Sequence, residues 1–370
     1  MSLVKNNASV GADIAVAISN ISTSCSIDKN LKTNKSIDLP RYGVTQSRVV
    51  CVGGAVVDTI AKSNTNDKII LGTSNPGKIR TSDGGVARNI AETLGRLGTI
   101  PIFYTAVGND YTGQSLLQRL SSECQVLITS KSVNVVDGVG TAQYYALNDH
   151  ASSLVGAIAD MEVLTHIPIP EISDLDGVEF LVLDANLPPN RILECVQRGI
   201  EAGCKVCFEP TSVPKAQALM KLDFMKSITY AFPNEDELFA MASEIETRRN
   251  ITCQREFTEE ELQHNAKVVL SEMKSDGQLI ITLGARGVLL AQNDQDLNPI
   301  FTHFPIENVV DVRSSNGPGD TLCGAYIHAK SAGMDSKAAV RFGMKAAALS
   351  LGHENSAISP LLSSLKLSKV

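Results

Sequence analysis

The chain has 370 residues, of which 43% are hydrophobic and 20% are charged, and its formal net charge is −7. This length allows one large α/β domain or two medium ones, with enough apolar side chains for a sizeable core. The sequence lacks basic blocks and apolar runs of membrane-spanning length, which argues against nucleic-acid binding and membrane insertion. It also lacks a charged start followed by an apolar stretch, so we expect a cytoplasmic protein.

The first 47 residues differ in composition from the rest of the chain. Residues 2–19 are predicted to form a helix, with apolar residues at Leu3, Val10, Ile14 and Ile18. Residues 20–40 are rich in Ser, Asn, Thr and Lys and have little to bury, which predicts a flexible linker. The main domain is predicted to span residues 48–370.

The main domain alternates between strand-like and helix-like segments. The predicted strands are 48–54, 100–107, 140–148, 180–186, 205–209, 228–234, 278–284 and 288–291. The predicted helices include 83–98, 113–124, a segment that begins near Gly317, and 336–351. This alternation predicts an α/β fold, in which helices cover both faces of a mostly parallel sheet. Two polar excursions, about 60–82 and 130–165, interrupt the pattern.

Polar residues or glycines stand where several predicted strands end or helices begin. They are Asp58, Asn186, Asn234, Gly284 and Gly317. In open α/β sheets, ligands bind in a crevice outside the carboxyl ends of the strands. The pattern therefore predicts a ligand site at this edge of the sheet.

The most informative stretch is Gly317-Pro318-Gly319-Asp320, which leads into an apolar segment of small residues. The start of a helix has unpaired N–H groups and the positive end of the helix dipole, so it attracts anions. A carboxylate at this place is either a helix cap or a base beside a bound phosphate. The motif alone leaves both interpretations open.

A glycine pair, Gly84-Gly85, stands at the start of the predicted helix 83–98. Without side chains, these residues let a ligand approach the backbone closely. Asn89 follows about one turn into the helix and could reach the same ligand. The alternative interpretation is a glycine-rich turn followed by a solvated Asn.

Eight cysteines are present, and Cys204 and Cys207 form the C-x-x-C pair among them. Both lie in or next to a predicted buried strand, where side chains three residues apart point to opposite faces. No second pair is present to complete a zinc site. We interpret them as reduced cysteines of the core.

These motifs, in this order, resemble the ribokinase-like sugar kinases, also called the PfkB carbohydrate kinases, over about residues 48–362. The resemblance rests on Gly84-Gly85 with Asn89, Asn234-x-x-Glu237, Thr282-Leu-Gly-x-x-Gly287, and Gly317-Pro-Gly-Asp320, which is similar to the family's Gly-Ala-Gly-Asp signature. It implies a ribokinase-like fold, with the segments 60–82 and 130–165 as a small β lid, and transfer of phosphate from ATP to a sugar hydroxyl. It also implies Mg²⁺, a monovalent cation such as K⁺, and a homodimer formed through the lid.

The resemblance further implies roles for individual residues. Asp320 would be the catalytic base, and N–H groups from Gly317 to Asp320, including Gly319, would stabilise charge on the transferring phosphoryl group. The sugar or nucleoside would be bound by Asp58, Gly84, Gly85, Asn89 and Thr141. The nucleotide would be bound by Asn234, Thr282, Gly284, Gly287 and Gly317, and Glu237 would hold Mg²⁺ through water.

Within the family, three segments most resemble the pseudouridine kinases, which implies phosphorylation of the 5′-hydroxyl of pseudouridine. They are residues 84–92, 141–148 and 209–215. Residues 3–17 resemble the C-terminal helix of pseudouridine-5′-phosphate glycosidase, which in some organisms is fused ahead of the kinase. The alternatives are a kinase of the same fold for ribose, adenosine or a ketohexose, and a catalytically dead nucleoside-binding homologue. A dinucleotide-dependent oxidoreductase is disfavoured, because the first strand lacks a Gly-x-Gly-x-x-Gly motif.

Two positions depart from the family pattern. Pro318 stands where the family has Ala and removes one N–H donor, although proline is tolerated at the first position of a helix. Ser314 stands where the family commonly has Asp, and the nearest acidic residue is Asp311. The resemblance therefore leaves open whether this loop binds a monovalent cation.

Overall fold

The computed structural model describes residues 47–64, 69–151, 153–251, 255–256, 258–306, 317–353 and 356–367. The predicted N-terminal helix, the predicted linker, and the positions Asp311 and Ser314 lie outside these ranges. In the part of the chain that is described, no helix is long and apolar enough to cross a membrane.

The described residues form two β-sheets. Their strands are β1 Val49–Val52, β2 Val56–Ser63, β3 Gly77–Gly84, β4 Ile102–Gly108, β5 Val133–Val136, β6 Gln143–Asn148, β7 Leu154–Asp160, β8 Phe180–Asp184, β9 Lys205–Glu209, β10 Ile228–Ala231, β11 Gln278–Thr282, β12 Val288–Asn293 and β13 Pro299–Phe304. The large sheet has nine strands in the order β13-β12-β11-β10-β9-β8-β1-β4-β5. Neighbours from β11 to β5 are parallel, and β12 and β13 pair antiparallel at one edge.

Helices alternate with these strands along the chain. They are α1 Val86–Arg96, α2 Tyr111–Glu123, α3 Pro189–Glu201, α4 Val213–Leu219, α5 Glu235–Arg248, α6 Glu259–Leu270, α7 Pro318–Ser331 and α8 Ser336–Leu351. Every residue of the central strands β1 and β8 is buried, as expected for a parallel sheet that is covered on both faces. The predicted α/β class, with a mostly parallel sheet and helices, is confirmed.

Two helix boundaries differ from the sequence prediction, and each has a local cause. The helix predicted from residue 83 begins at Val86, because Asp83 and Gly84 pair with β2 as the end of β3. Helix α2 begins two residues before the predicted start at 113, because the side chain of Asp110 caps it. The Gly113 N–H donates to Asp110 Oδ1 at 2.7 Å.

The small sheet has four strands in the order β3-β2-β6-β7, and we call it the lid. The β2–β3 and β6–β7 pairs are antiparallel, whereas β2 and β6 run parallel. Its strands come from, or directly border, the two predicted polar excursions. Because side chains alternate along strands, Asp58 and Tyr144 share one face of the lid, and Tyr145 and Ile158 share the other.

The cysteine pair belongs to the large sheet. Cys207 is buried within β9, and Cys204 directly precedes that strand and is half-buried. Both are free thiols, and burial raises the pKa of each. Such thiols are poor nucleophiles, since the thiolate is the reactive form.

Candidate active site

The site begins at the point of the large sheet where the direction of winding reverses. The chain passes from β1 to β4 on one side, whereas β8, β9, β10 and β11 follow on the other side. The crevice between β1 and β8 is where such sheets bind ligands. Here the buried carboxylate of Asp184, at the end of β8, accepts the Gly54 N–H at 3.1 Å and the Ala87 N–H at 3.0 Å. Asp184 thus joins the loop after β1 to the start of α1.

The glycine pair lies against the lid strand β2. A side chain at Gly84 would lie closer than 3.0 Å to the Asp58 carboxylate, so a larger residue would displace that group. Gly85 has a φ of +95°, and a side chain there would lie closer than 3.0 Å to the Gly54 carbonyl oxygen. Gly85 therefore requires glycine, whereas a methyl group at Gly84 could be accommodated by movement of the Asp58 side chain. The predicted close approach of a ligand to this backbone stays a prediction.

Burial raises the pKa of Asp58 to about 6, against the lowering effect of Arg88, and the neighbouring charge of Asp83 raises it further. The carboxyl of Asp58 lies on the face of the lid that also carries Ser82 and Tyr144. A largely ionised carboxylate next to a glycine backbone can accept two hydrogen bonds from neighbouring hydroxyl groups.

Asn89 and Asp320 are 231 residues apart in the chain, and the fold brings their side chains together. Asn89 Nδ2 donates to Asp320 Oδ2 at 2.7 Å. Arg88 Nη1 donates to Asn89 Oδ1 at 2.7 Å, which turns the amide so that its NH₂ group faces Asp320. Two motifs that lie far apart in the sequence therefore form one site.

Asp320 carries a perturbed carboxyl group. Burial raises its pKa to about 7, against the lowering effect of the Asn89 hydrogen bond. The charges of Asp184 and Glu237 raise the pKa further, and Arg88 lowers it. A group with a pKa near neutrality can both hold and release a proton under ordinary conditions, as a general base must.

Helix α7 begins where the sequence predicted a helix start, and its predicted role as an anion site stays a prediction. Gly317 is the N-cap, with a left-handed φ of +88°, and a side chain there would lie closer than 3.0 Å to the Ala357 carbonyl oxygen. Pro318 occupies the first helical position, where proline needs no N–H donor. The Thr321 N–H donates to the Gly317 oxygen at 2.8 Å, as the first i to i−4 bond of the helix. Gly319 is exposed and has open space around it.

Three of the predicted nucleotide residues, Thr282, Gly284 and Gly287, lie at or just after the carboxyl end of β11. Thr282 pairs with Asn234, and its N–H donates to the Pro233 oxygen at 3.1 Å. Gly284 and Gly287, with φ of +56° and +95°, bound a tight turn that the Leu283 N–H closes by donating to the Gly287 oxygen at 2.9 Å. Gly284 faces open space, whereas a side chain at Gly287 would meet Phe304.

Asn234 and Glu237 bond to each other across the first turn of α5. The Asn234 N–H donates to Glu237 Oε2 at 2.9 Å, and the Glu237 N–H donates to Asn234 Oδ1 at 2.8 Å. This is a reciprocal helix cap, so the pair stabilises the start of α5 in addition to any role in ligand binding. Glu237 Oε1 takes part in neither of these bonds. Burial raises the pKa of this carboxyl group.

Thr141 is fully buried, and the structure gives its polar atoms partners within the protein. Its hydroxyl donates to Asp110 Oδ1 at 2.7 Å and accepts the Gly108 N–H at 3.0 Å, and its own N–H donates to Asp110 Oδ2 at 2.8 Å. These bonds tie the approach to β6 to the cap of α2. They account for Thr141 as an anchor of the lid, and the predicted substrate contact of its side chain finds no support in this geometry.

Sequence reasoning missed two acidic residues of the crevice, Asp184 and Glu209. Each is the last residue of a buried parallel strand, and Glu209 Oε2 accepts the Thr211 N–H at 2.7 Å. The pKa of Glu209 is raised well above its usual range by burial and by the charges of Asp320, Glu237 and Asp184. An acidic residue at the end of an otherwise apolar strand was the available signal.

Comparison with known proteins gives the family to which this fold and site belong. The sequence pattern of the pfkB family carbohydrate kinases matches residues 46–362. The chain belongs to the pfkB family of carbohydrate kinases. The extent of the match confirms the resemblance found from the motifs.

Two curated relatives are pseudouridine-metabolizing proteins. The chain is 27% identical over 370 residues to a pseudouridine-metabolizing bifunctional protein of Schizosaccharomyces pombe, which covers 86% of this chain and 48% of that protein. It is 26% identical over 253 residues to the pseudouridine kinase of Arabidopsis thaliana, which covers 65% of this chain and 64% of that protein. This pfkB-family chain therefore spans less than two thirds of either relative.

The fold is similar to that of the Arabidopsis thaliana ribokinase complexed with ribose and ATP, with a TM-score of 0.67 and 19% sequence identity. The superposition covers 86% of this chain and 99% of the ribokinase. The ribokinase-like fold predicted from the motifs is confirmed.

Proposed function

We propose that this chain phosphorylates the 5′-hydroxyl of pseudouridine with ATP as the phosphate donor. The observation that carries the proposal is the Asn89–Asp320 hydrogen bond, which holds a carboxyl of raised pKa at the N-terminus of α7. The choice of pseudouridine is supported by the names of the relatives in Schizosaccharomyces pombe and Arabidopsis thaliana.

In this proposal, Asp58 selects the sugar by accepting hydrogen bonds from two ribose hydroxyls. Its pKa of about 6 leaves the carboxylate mostly ionised at neutral pH, as this role requires. Gly84 and Gly85 allow the sugar to approach the backbone, and Asn89 supplies an amide beside the reacting hydroxyl.

Asp320 acts as the base in the proposed transfer. As the 5′-oxygen attacks the γ-phosphorus, its proton passes to the Asp320 carboxylate, and the bond to the β–γ bridging oxygen breaks to release ADP. The N–H groups at the start of α7, from Gly317 to Asp320, stabilise the charge on the transferring group. Gly319 leaves open space for that group.

The proposed nucleotide site lies between α5 and the β11 turn. Asn234, Thr282 and the turn from Gly284 to Gly287 would contact ATP, together with the N-cap Gly317. Open space at Gly284 and the glycine conformations of the turn permit close approach of a ligand to the backbone. The similar ribokinase of Arabidopsis thaliana is complexed with ribose and ATP, which supports a nucleotide site on this fold.

The donor set fits Mg²⁺ bound with the help of phosphate. Burial raises the pKa of four carboxyls of the crevice, namely Asp184, Glu209, Glu237 and Asp320, and neighbouring carboxyls of this set raise those of Glu209 and Asp320 further, so a cation would favour their ionised forms. Among the described residues, no three His, Cys, Asp or Glu side chains are placed to hold a metal ion alone. Mg²⁺ commonly completes its shell with water and phosphate oxygens, and Glu237 would hold it through water. The ion would neutralise charge on the phosphates.

The first experiment is an assay of ADP release from Mg-ATP, with pseudouridine, uridine, adenosine and ribose tested side by side. Turnover selective for pseudouridine supports the proposal. Turnover with another of the four compounds retains the mechanism and replaces the substrate. Binding of pseudouridine without any ADP release favours the catalytically dead homologue. We also propose that K⁺ activates the enzyme, and exchanging NaCl for KCl in the same assay tests this.

Gly84→Ala tests the sugar site. Its new methyl group meets the Asp58 carboxylate, which is the end of a side chain and can move aside. We expect the chain to fold, and the KM for the nucleoside to rise about tenfold, the effect of one lost charge-assisted hydrogen bond. Steady-state kinetics measure the change, and the KM for ATP serves as the internal control. An unchanged KM for the nucleoside would remove Asp58 from the sugar site.

We also propose that two copies of the chain pair through the outer faces of their lids. This face carries Ile79, Leu147, Tyr145 and Ile158, and the exposed fractions of Ile79 and Ile158 are 72% and 74%. Exposed apolar side chains next to an open edge strand form a surface that favours association. We expect Ile158→Asp to convert a dimer to a monomer in size-exclusion chromatography with light scattering. A wild-type monomer at high concentration would refute the dimer.

A further inference from the structure

Arg88 lies between the lid and the proposed catalytic pair, and the proposed function gives it no role. We propose that Arg88 is a positioning residue that couples the lid strand β3 to the Asn89–Asp320 hydrogen bond. The inference rests on the proposed function, in which Asp320 is the base. It concerns a residue that does not itself touch Asp320 in the structure.

The first part of the argument is the contact between Arg88 and its neighbour in α1. Arg88 Nη1 donates to Asn89 Oδ1 at 2.7 Å, and Asn89 Nδ2 donates to Asp320 Oδ2 at 2.7 Å. An amide whose oxygen is held by a cation presents its NH₂ group to the other side. Arg88 therefore determines which end of the Asn89 amide faces the base.

The second part is the contact between Arg88 and the lid. Asp83 belongs to β3, and its backbone oxygen accepts a hydrogen bond from Arg88 Nη1 at 3.2 Å. The Asp83 carboxylate lies 3.7 Å from Arg88 Nη2 and is also held by two nitrogens of Arg119 on α2. One nitrogen of Arg88 thus bonds both the lid strand and the catalytic amide.

The third part is the burial of Arg88. Its side chain is only 5% exposed, and it pairs with Glu92 one turn further along α1. Its Nε is buried without a hydrogen-bond partner in the part of the chain that the structure describes. A buried arginine with an unused donor is costly for stability, which argues that its other contacts serve function.

Lysine could not replace these contacts. The planar guanidinium reaches Asp83, Asn89 and Glu92 at fixed angles, whereas an ammonium is a single point charge on a flexible stem. A movement of β3 therefore shifts the guanidinium, and the amide of Asn89 follows. The base is correctly oriented only when the lid strand is in place.

The first test compares Arg88→Lys with Arg96→Lys in the full chain, by steady-state kinetics with Mg-ATP and pseudouridine. Arg96 is a matched control, because it lies on the same helix and its Nε donates to the same Glu92, at 2.6 Å. We expect Arg88→Lys to lower kcat about 10²-fold through misplacement of the base, and Arg96→Lys to leave kcat at the wild-type level. Equal losses in the two variants would overturn the proposal, because the pairing with Glu92 alone would then explain them.

Double-mutant cycles test whether Arg88 acts through its two neighbours. The loss caused by Arg88→Lys should shrink in an Asn89→Ala background, since the amide to be positioned is then absent. The losses from Asp83→Asn and Arg88→Lys should likewise be less than additive. Additive losses in both cycles would overturn the coupling.

A third measurement does not depend on turnover. The carboxyl of Asp320 can be titrated by ¹³C NMR and identified by the signal that Asp320→Asn lacks. This carboxyl bonds to Asn89 and is influenced by the charges of Asp184, Glu209, Glu237 and Arg88. Arg88→Met should raise its pKa, because both the nearby cation and the holder of Asn89 are lost, whereas Arg96→Met should not.

An unchanged pKa of Asp320 in Arg88→Met would overturn the inference, whether or not the wild type is active. If Arg88→Met fails to fold, Arg88→Lys serves in the same titration and should show a smaller rise. If the wild type phosphorylates no nucleoside, the proposed function is overturned. The NMR titration of Asp320 would still test whether Arg88 acts on this carboxyl.

Discussion

Asp320→Asn is expected to lower kcat by about 10²–10⁴-fold, the contribution of a general base, while the affinity for pseudouridine stays near the wild-type value. An Asn side chain still offers an oxygen to Asn89 Nδ2, so the hydrogen bond that now measures 2.7 Å can be retained. What is lost is the ability to accept the proton of the attacking hydroxyl. Single-turnover kinetics and isothermal titration calorimetry measure the two quantities separately.

The same variant should be more stable than the wild type above neutral pH. The pKa of Asp320 is raised from 3.8 to about 7 in the folded chain, so the folded state binds more protons than the unfolded state between these values. This group therefore makes the free energy of unfolding fall as the pH rises from about 4 to 7. Asp320→Asn removes the decline, and its melting temperature at pH 8 should exceed that of the wild type.

Asp335→Asn is the control for both results. Asp335 caps α8 by accepting the Ala338 N–H at 2.8 Å, and Asn is an equally good cap. In this variant kcat should stay at the wild-type level, and the melting temperature at pH 8 should not rise. Near-normal turnover in Asp320→Asn would remove Asp320 from the role of base.

Gly317→Ala is expected to cost both stability and activity. A non-glycine residue in the left-handed conformation costs about 1–2 kcal/mol, and the methyl group would also approach Ala357. The start of α7 must shift to relieve this contact, and a displacement of Asp320 by about 1 Å can lower kcat about 10²-fold. Thermal melts and steady-state kinetics measure the two losses.

Gly319→Ala, two residues further on, is the matched control for stability. Gly319 is helical, and among the described residues no atom beyond its chain neighbours and its own helix backbone lies within 4 Å of the place its methyl group would take. Alanine in a helix is more stable than glycine by about 0.5–1 kcal/mol, so this variant should melt at or above the wild-type temperature. Equal melting temperatures for the Gly317 and Gly319 variants would show that the left-handed cap is not required.

The strands and the glycine motifs were predictable because they depend on local rules. Apolar runs that end in glycine or polar residues identify buried parallel strands, and Gly317 identifies the cap of a helix that begins with proline. Gly84 and Gly85 were inferred to let a ligand approach, and in the structure the groups close to them are the Asp58 carboxylate and the Gly54 carbonyl oxygen. The bounds predicted for α8, 336–351, are those observed, which reflects the length and the apolar spacing of this helix.

The partners of side chains were not predictable, because they depend on contacts between distant parts of the chain. The Thr141 hydroxyl bonds Asp110 and the Gly108 N–H, partners that its place in the sequence does not indicate, and its predicted substrate contact stays a prediction. Arg88 was not singled out in the sequence, yet it bonds both Asp83 and Asn89. No spacing rule specifies such pairs, since each is set by the packing of whole elements.

The sequence by itself determined the class of fold, the family, and the places where polar residues and glycines stand at strand ends, because periodicity and glycine chemistry are local properties. Only the tertiary structure decided that Asn89 meets Asp320, and that Asp184 and Glu209 bring two more acidic groups to the same crevice. The raised pKa of Asp320 follows from this packing, although the Asn89 hydrogen bond itself lowers it. It arises from burial and from charges on other elements, and neither exists until those elements pack together.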